Sequence, residues 1–296
     1  MHVLLHYIKM RLNITMSKYR VDQPAHKIIL DMVKPNSLIL EFGPSYGLMT
    51  RVLKEDLHCS IYAVEIDHDA ACETGNYCEK IVVDSIETYT WKQEFANIKF
   101  DFIIFADVLE HLYDPWKVLS EVKAFLKSDG KILISLPNIA HNAIIMNLIE
   151  DVFEYNPTGL LDNTHIRFFT KNSIDNMVKK CGYKLSLINA TYNLPESTEF
   201  KQSYAKFSDE VCRTLLHKKY GHVYQFIYEI VHAESEIASP VIENIIDTVE
   251  NYKFDSTSLD LQEQLANKTK ELDDVYNSKS WKLTSPLRKM FRFIKW

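Results

Sequence analysis

The feature that most constrains the fold of this chain is the stretch Leu38-Ile39-Leu40-Glu41-Phe42-Gly43-Pro44-Ser45-Tyr46-Gly47. An apolar run that closes on an acid and feeds a glycine-spaced turn reads as strand, tight loop and helix, the helix running on through residues 48–53. The run suits a strand buried on both faces, while Gly43 and Gly47 let backbone approach a ligand without Cβ obstruction. Together they make a nucleotide-cofactor loop. A dinucleotide site of the form G-x-G-x-x-G does not fit, because counting from Gly43 the later glycines would fall on Ser45 and Leu48. A P-loop does not fit either: no Lys-Ser or Lys-Thr pair closes the turn, and no basic side chain lies between Glu41 and Thr50. An acid at the strand end suits a cationic ligand.

At 296 residues, 46% hydrophobic and 25% charged, the chain has material for one substantial core and an appendage. Its net charge of -6 argues against a chain-wide nucleic-acid footprint. Cys59, Cys72, Cys78, Cys181 and Cys212 are scattered, with no C-x-x-C pair, which predicts reduced thiols and a cytoplasmic setting. No apolar run approaches the roughly 18 residues that span a bilayer, and secretion is not expected.

The strand-then-acid pattern recurs along the chain. Residues 61–67 form a second apolar run about 20 residues downstream, where such folds bind ribose hydroxyls. Glu65 is the choice for that contact, since a carboxylate accepts from both hydroxyls at once; Asp67 is the runner-up. A short strand over 80–83 ends at Asp84-Ser85, where Asp84 also suits a helix N-cap. A fourth strand covers 100–107. Ser128-Asp129-Gly130 reads as a turn before a fifth strand over 131–136, which ends in polar residues. Open α/β sheets bind ligands at these ends, so Asn138 and His141 fall on the rim of Gly43, Glu65 and Asp107. Helices are expected over 21–33, near 143–150, up to Lys180 with Thr170 or Ser173 as cap, and over 209–216. Strands over 183–188 and 222–231 complete a doubly wound α/β sheet of seven mostly parallel strands, the domain running from 21 to 233 behind an N-terminal arm, 1–20.

Glu41, Gly43 and Gly47 resemble the first motif of the class I S-adenosylmethionine-dependent methyltransferases, which implies their Rossmann-like fold and S-adenosylmethionine as cofactor. The family usually has a further glycine where Ser45 stands, a departure that implies a loop set slightly farther from the cofactor. The resemblance places Asp84 at the adenine amino group. Asp107-Val108-Leu109-Glu110-His111-Leu112, followed by Asp114-Pro115, is similar to the family's wall beside the methionine portion. The implied cofactor site is Glu41, Gly43, Pro44, Ser45, Gly47, Glu65, Ile66, Asp84, Ser85, Ala106 and Asp107. Residues 159–170, Gly-Leu-Leu-Asp-Asn-Thr-His-Ile-Arg-Phe-Phe-Thr, resemble a substrate-side segment of methyltransferases acting in bacterial glycan and related small-molecule pathways. The family-like sequence begins near Tyr19, which makes Met16 a second candidate start.

The C-terminal part differs in character. Leu261, Leu265, Leu272 and Val275 mark a helical seam within an extension over 234–274, interrupted by Lys268, which suits pairing with a partner helix. Residues 275–296 hold no acid, and Lys279, Lys282, Arg288, Lys289, Arg292 and Lys295 alternate there with Trp281, Leu287, Phe291, Phe293 and Trp296. Such a tail suits anionic headgroups at the inner face of a membrane, or packing on its own domain. Residues 278–288 resemble a terminal segment recurring in bacterial surface-polysaccharide transferases.

Methyl transfer from a sulfonium needs in-line attack, so positioning and water exclusion carry most of the work. A sugar hydroxyl needs its proton taken, and histidine suits that role. His165 is the first choice of base, then His141 and His111; Arg167 either orients substrate or pairs with Asp162, and Asn138 is assigned to the substrate side. Glu110, His111 and Asp114 are close in sequence, but their spacing selects no cation, and no metal is expected. The leading expectation is an O-methyltransferase acting on a sugar or glycan hydroxyl in bacterial surface-polysaccharide biosynthesis. A phenol or quinone-like acceptor, or a catalytically silent scaffold of the same fold, are the alternatives; nucleic acid is not an expected partner.

Overall fold

In the computed structural model, residues 23–235 and 242–243 are described. The N-terminal arm, nearly all of the extension over 234–274 and the basic-aromatic tail over 275–296 lie outside them.

The sheet runs in the order β3-β2-β1-β4-β5-β7-β6, where β1 is Leu38–Phe42, β2 Ser60–Glu65, β3 Lys80–Val83, β4 Phe100–Ala106, β5 Leu126–Pro137, β6 Tyr183–Tyr192 and β7 Val223–His232. Strands β1 to β5 are parallel, and β7 lies antiparallel between β5 and β6. A two-residue strand, Ile242–Glu243, adds to β6 in parallel beyond the expected domain end at 233. The order reverses between β1 and β4, which opens a crevice above their carboxyl ends.

Alternation along the central strands explains the layers. Ile39, Phe102, Ile104 and Leu133 pack on one face with Ile29 and Leu30 of α1 (Pro24–Met32) and Met49, Val52 and Leu53 of α2 (Leu48–Glu55). Leu40, Phe42, Ile103, Phe105 and Ile134 face the other side. There they meet Val118, Leu119 and Val122 of the helix Pro115–Val122, and Ile174, Met177 and Val178 of the helix Lys171–Lys180. Both faces are covered, so the strands read as near-continuous apolar runs. Phe42 stacks on Phe105 at 4.8 Å and meets Trp91 edge-on at 5.1 Å. The Trp91 indole N–H donates to the Ile86 carbonyl at 2.9 Å, which anchors the loop after β3 to the core.

Local differences from the sequence reading have physical causes. Ser128-Asp129-Gly130, expected as a turn, is carried inside β5 as an irregularity: the partner moves from Leu126 to Lys131 while β4 advances only from Phe100 to Phe102. An added Cβ on Gly130 would lie 2.9 Å from the Phe100 carbonyl, so only glycine permits this approach. Thr170 and Ser173 share the helix start as a reciprocal capping box rather than competing for it. Among the described residues, no helix is long and apolar enough to cross a membrane.

Candidate active site

The first loop is bound to the acids that flank it. Gly43 has φ +63° and Gly47 φ +72°, both left-handed, and Ser45 holds φ +51° despite its side chain. The Ser45 N–H donates to Glu65 Oε2 at 2.8 Å, and the Asp67 N–H donates to Oε1 at 2.9 Å. Thr74 donates its hydroxyl to the Ser45 carbonyl at 2.5 Å. Glu41 is buried beneath the turn and accepts from the Thr50 hydroxyl at 2.7 Å; burial pushes its carboxyl up to about 7, against the Thr50 bond and with the neighbouring Glu65 charge. Pro44 closes the turn by accepting from the Gly47 N–H at 3.0 Å.

The rest of the rim follows. Asp84 accepts from the Ser85 N–H at 2.7 Å and from the hydroxyls of Thr88 and Thr90, and the Thr90, Ser85 and Thr88 bonds hold its carboxyl below the usual range. Ser85 caps the next turn through the Glu87 N–H. Ala106 ends β4, and Asp107 follows in a left-handed conformation, φ +56°. The Asp107 N–H donates to Ser135 Oγ at 3.0 Å, and that hydroxyl donates back to Asp107 Oδ1 at 2.6 Å. Gln225 Nε2 also donates to Oδ1, at 2.8 Å, and His26 Nε2 lies 3.9 Å from Oδ2. Burial lowers the His26 pKa against the pull of Asp107.

These residues fit a sulfonium nucleoside. Glu65 keeps lone pairs free beyond its two backbone bonds, enough to accept from ribose hydroxyls. Tyr46, Leu48, Ile66 and Val83 are exposed apolar side chains on the loop, α2 and the ends of β2 and β3, a surface that the apolar faces of a nucleoside would cover.

The acceptor side departs from expectation at two positions. Asn138 is buried and fully engaged: its amide donates to the Tyr220 and Val223 carbonyls, and its Oδ1 accepts from the Ala140 N–H. It pins the β5 loop to β7, with both amide protons spent on that tie. His141 is equally committed. It caps the helix Asn142–Ile149 through the Ala143 N–H on Nδ1, Nε2 meets the Asn193 carbonyl at 2.9 Å, and burial lowers its pKa to about 3. A buried imidazole so held is a poor proton acceptor near neutral pH.

His165 and His111 come together. Their rings meet edge-to-face at 4.8 Å, and His165 Nε2 lies 3.9 Å from Oε1 of the buried Glu110. Burial, then the nearby His111, lowers the His165 pKa; burial, then Asp107, holds the Glu110 carboxyl well above the usual carboxylate range. The Ile166 and Arg167 N–H groups both donate to the Glu110 carbonyl, at 3.0 and 2.9 Å. Arg167 donates to the Tyr113 and Ile166 carbonyls, with no bond to Asp162, whose Oδ1 is taken by Thr164. Asp114 caps the helix Pro115–Val122. Phe153, Tyr155 and Phe168 form an aromatic cluster beside His165.

His26, Thr50, Ser135 and Gln225 are site neighbours that the sequence reading missed. The available signal was a polar residue interrupting an apolar run, clearest for Ser135 within 132–136 and Gln225 within β7.

Strand order 3-2-1-4-5-7-6, with the glycine turn between two acids at the switch point, defines the class I S-adenosylmethionine-dependent methyltransferase fold. Residues 18–187 match the family described as a methyltransferase domain, more than half of the chain, and the chain belongs to that family. It is an S-adenosylmethionine-dependent methyltransferase. No curated protein matches the chain in sequence. Similar solved structures include an S-adenosylmethionine-dependent methyltransferase from Archaeoglobus fulgidus, 16% identical over 72% of this chain and 96% of that one, TM-score 0.48. Another is a methyltransferase from Thermotoga maritima, 14% identical over 70% and 87%, TM-score 0.47. A third, from Corynebacterium glutamicum, is 12% identical over 78% and 98%, TM-score 0.45.

Proposed function

We propose that this methyltransferase transfers its methyl group to a hydroxyl oxygen of a sugar in a bacterial surface glycan. The observation that carries this reading is the polar group of His165, His111 and Glu110 set beside the aromatic cluster of Phe153, Tyr155 and Phe168. A sugar presents both an apolar ring face and hydroxyls, and a wall that is aromatic on one side and polar on the other suits both. When bound, the cofactor supplies an electrophilic methyl on a cationic sulfur. The chain holds the ribose at Glu65, lines the methionine side with Asp107, and activates the acceptor hydroxyl at the His165, His111 and Glu110 group.

The basic-aromatic tail adds a location: it holds the enzyme at the anionic inner face of the cell membrane, beside lipid-linked acceptors. The same aromatic cluster suits a phenol, so the two acceptor classes need a direct contest. Purified enzyme with labelled donor is offered bacterial glycan precursors and simple phenols in competition. Label in the glycan, matched by loss of a methyl mass from the glycan of cells lacking the protein, supports the reading. Label in phenols alone overturns it.

A further inference from the structure

We propose that Glu110, His111 and His165 form a binding site for a divalent first-row transition-metal ion. One carboxylate oxygen and one nitrogen from each imidazole lie within 4.8 Å of one another. Metal bonds of about 2.0–2.2 Å put ligand atoms on one cation roughly 3–4 Å apart, so the widest of the three separations needs to close by about 1–2 Å. Two histidines and one carboxylate form a mixed nitrogen and oxygen set, which suits ions such as Mn²⁺ and Zn²⁺.

Glu110 supplies a second, independent observation. It is 1% exposed, yet its Oε2 has no hydrogen-bond partner. A buried carboxylate oxygen left bare is costly, and a cation is what would satisfy it. The histidines are also oriented for ligation. His165 Nδ1 faces the Leu160 carbonyl at 3.4 Å and His111 Nδ1 faces the Thr164 carbonyl at 3.3 Å. Thr164 Oγ1, 3.2 Å from His111 Nδ1, gives its own proton to Asp162 Oδ1, so with Nδ1 protonated toward these oxygens each Nε2 keeps a lone pair. The Glu110 carbonyl, accepting from Ile166 and Arg167, ties the His165 loop to the Leu109–His111 turn and so fixes all three ligands on one frame.

The sequence reading expected no metal because it weighed Asp114 as third ligand, and Asp114 is a helix cap. The true third member, His165, comes from a separate loop. Three protein ligands with His111 exposed leave coordination positions open to a further oxygen. An acceptor hydroxyl bound there gives up its proton to bulk water more readily, and the histidines then serve as ligands and not as bases.

The site stands whatever the acceptor is, and its test is metal binding by the full chain. After chelator treatment, the protein is titrated with Mn²⁺, read by loss of the free-ion resonance signal, and with Zn²⁺ by calorimetry. One ion per chain is expected. Glu110→Gln, His165→Asn and the exposed His111→Ala should each weaken metal binding about tenfold or more with the fold retained by circular dichroism. If the buried variants fail to fold, His111→Ala alone decides. Unchanged metal affinity in the folded variants, or no binding of either ion, overturns the site. No binding of either ion by a chain that still methylates glycan would discard the site and leave the glycan reading intact; metal bound with no glycan methylated would do the reverse.

Discussion

The Ser45 backbone N–H donates to Glu65 Oε2 at 2.8 Å, so the glycine turn after β1 is held by the carboxylate that ends β2. The tie explains how the loop keeps its path with serine where the family usually carries glycine. Ser45 sits at φ +51°, a conformation that costs a non-glycine residue roughly 1–2 kcal/mol, and the Glu65 and Thr74 bonds offset that cost. Loop geometry therefore depends on the same acid that is proposed to hold the ribose.

Gly47→Ala should damage the loop without touching the core. An added Cβ would stand 2.7 Å from Thr74 Oγ1, the group bonded to the Ser45 carbonyl, at a residue whose φ is +72°. Left-handed strain plus one weakened hydrogen bond gives a loss of about 2–3 kcal/mol in urea unfolding. A variant as stable as the parent would show that the turn tolerates a side chain.

Acid should destabilise the fold through two buried imidazoles. Burial lowers His141 to about 3 and His222 to about 4. Lys218, itself lowered to about 8 by burial, faces them and disfavours a further positive charge. Below pH 6.5 the unfolded chain takes up protons that these native groups refuse, so stability falls, and by pH 5 each costs about 2 kcal/mol. Glu41, raised to about 7, acts oppositely: its native form takes a proton first and offsets roughly one histidine over the same range. The parent should therefore lose roughly 2 kcal/mol more unfolding free energy between pH 7 and pH 5 than His222→Gln does. Equal acid sensitivity in parent and variant would contradict this.

Removing residues 276–296 should release the protein from anionic vesicles and leave S-adenosylmethionine binding as it was. Vesicle flotation reads the first outcome and calorimetry the second. Retention on the vesicles would discard the tail as an anchor.

The parts of the fold legible in the sequence were those carried by local pattern. Apolar runs ending in acids marked β1, β2 and β4, and the run over 222–231 marked the last strand, but not that it lies antiparallel. Placement on the rim was legible too; function on the rim was not. Asn138 and His141 stand at the carboxyl end of β5 as expected, yet backbone groups from β7 and from the chain after β6 absorb their polar atoms. No local pattern reports such partners. The joining of Glu110 to His165, and of Asp107 to Gln225, likewise needs loops and strands that meet only in the folded sheet.

The central claim is that the acid ending β2 holds the ribose of S-adenosylmethionine, and the most direct test is calorimetric titration of that donor into the full chain and its Glu65→Ala variant. The parent should bind one equivalent. Loss of a charged acceptor costs roughly 1.5–3 kcal/mol, so the variant should bind on the order of ten- to a hundred-fold more weakly. Equal affinity in a variant that remains folded would contradict the account.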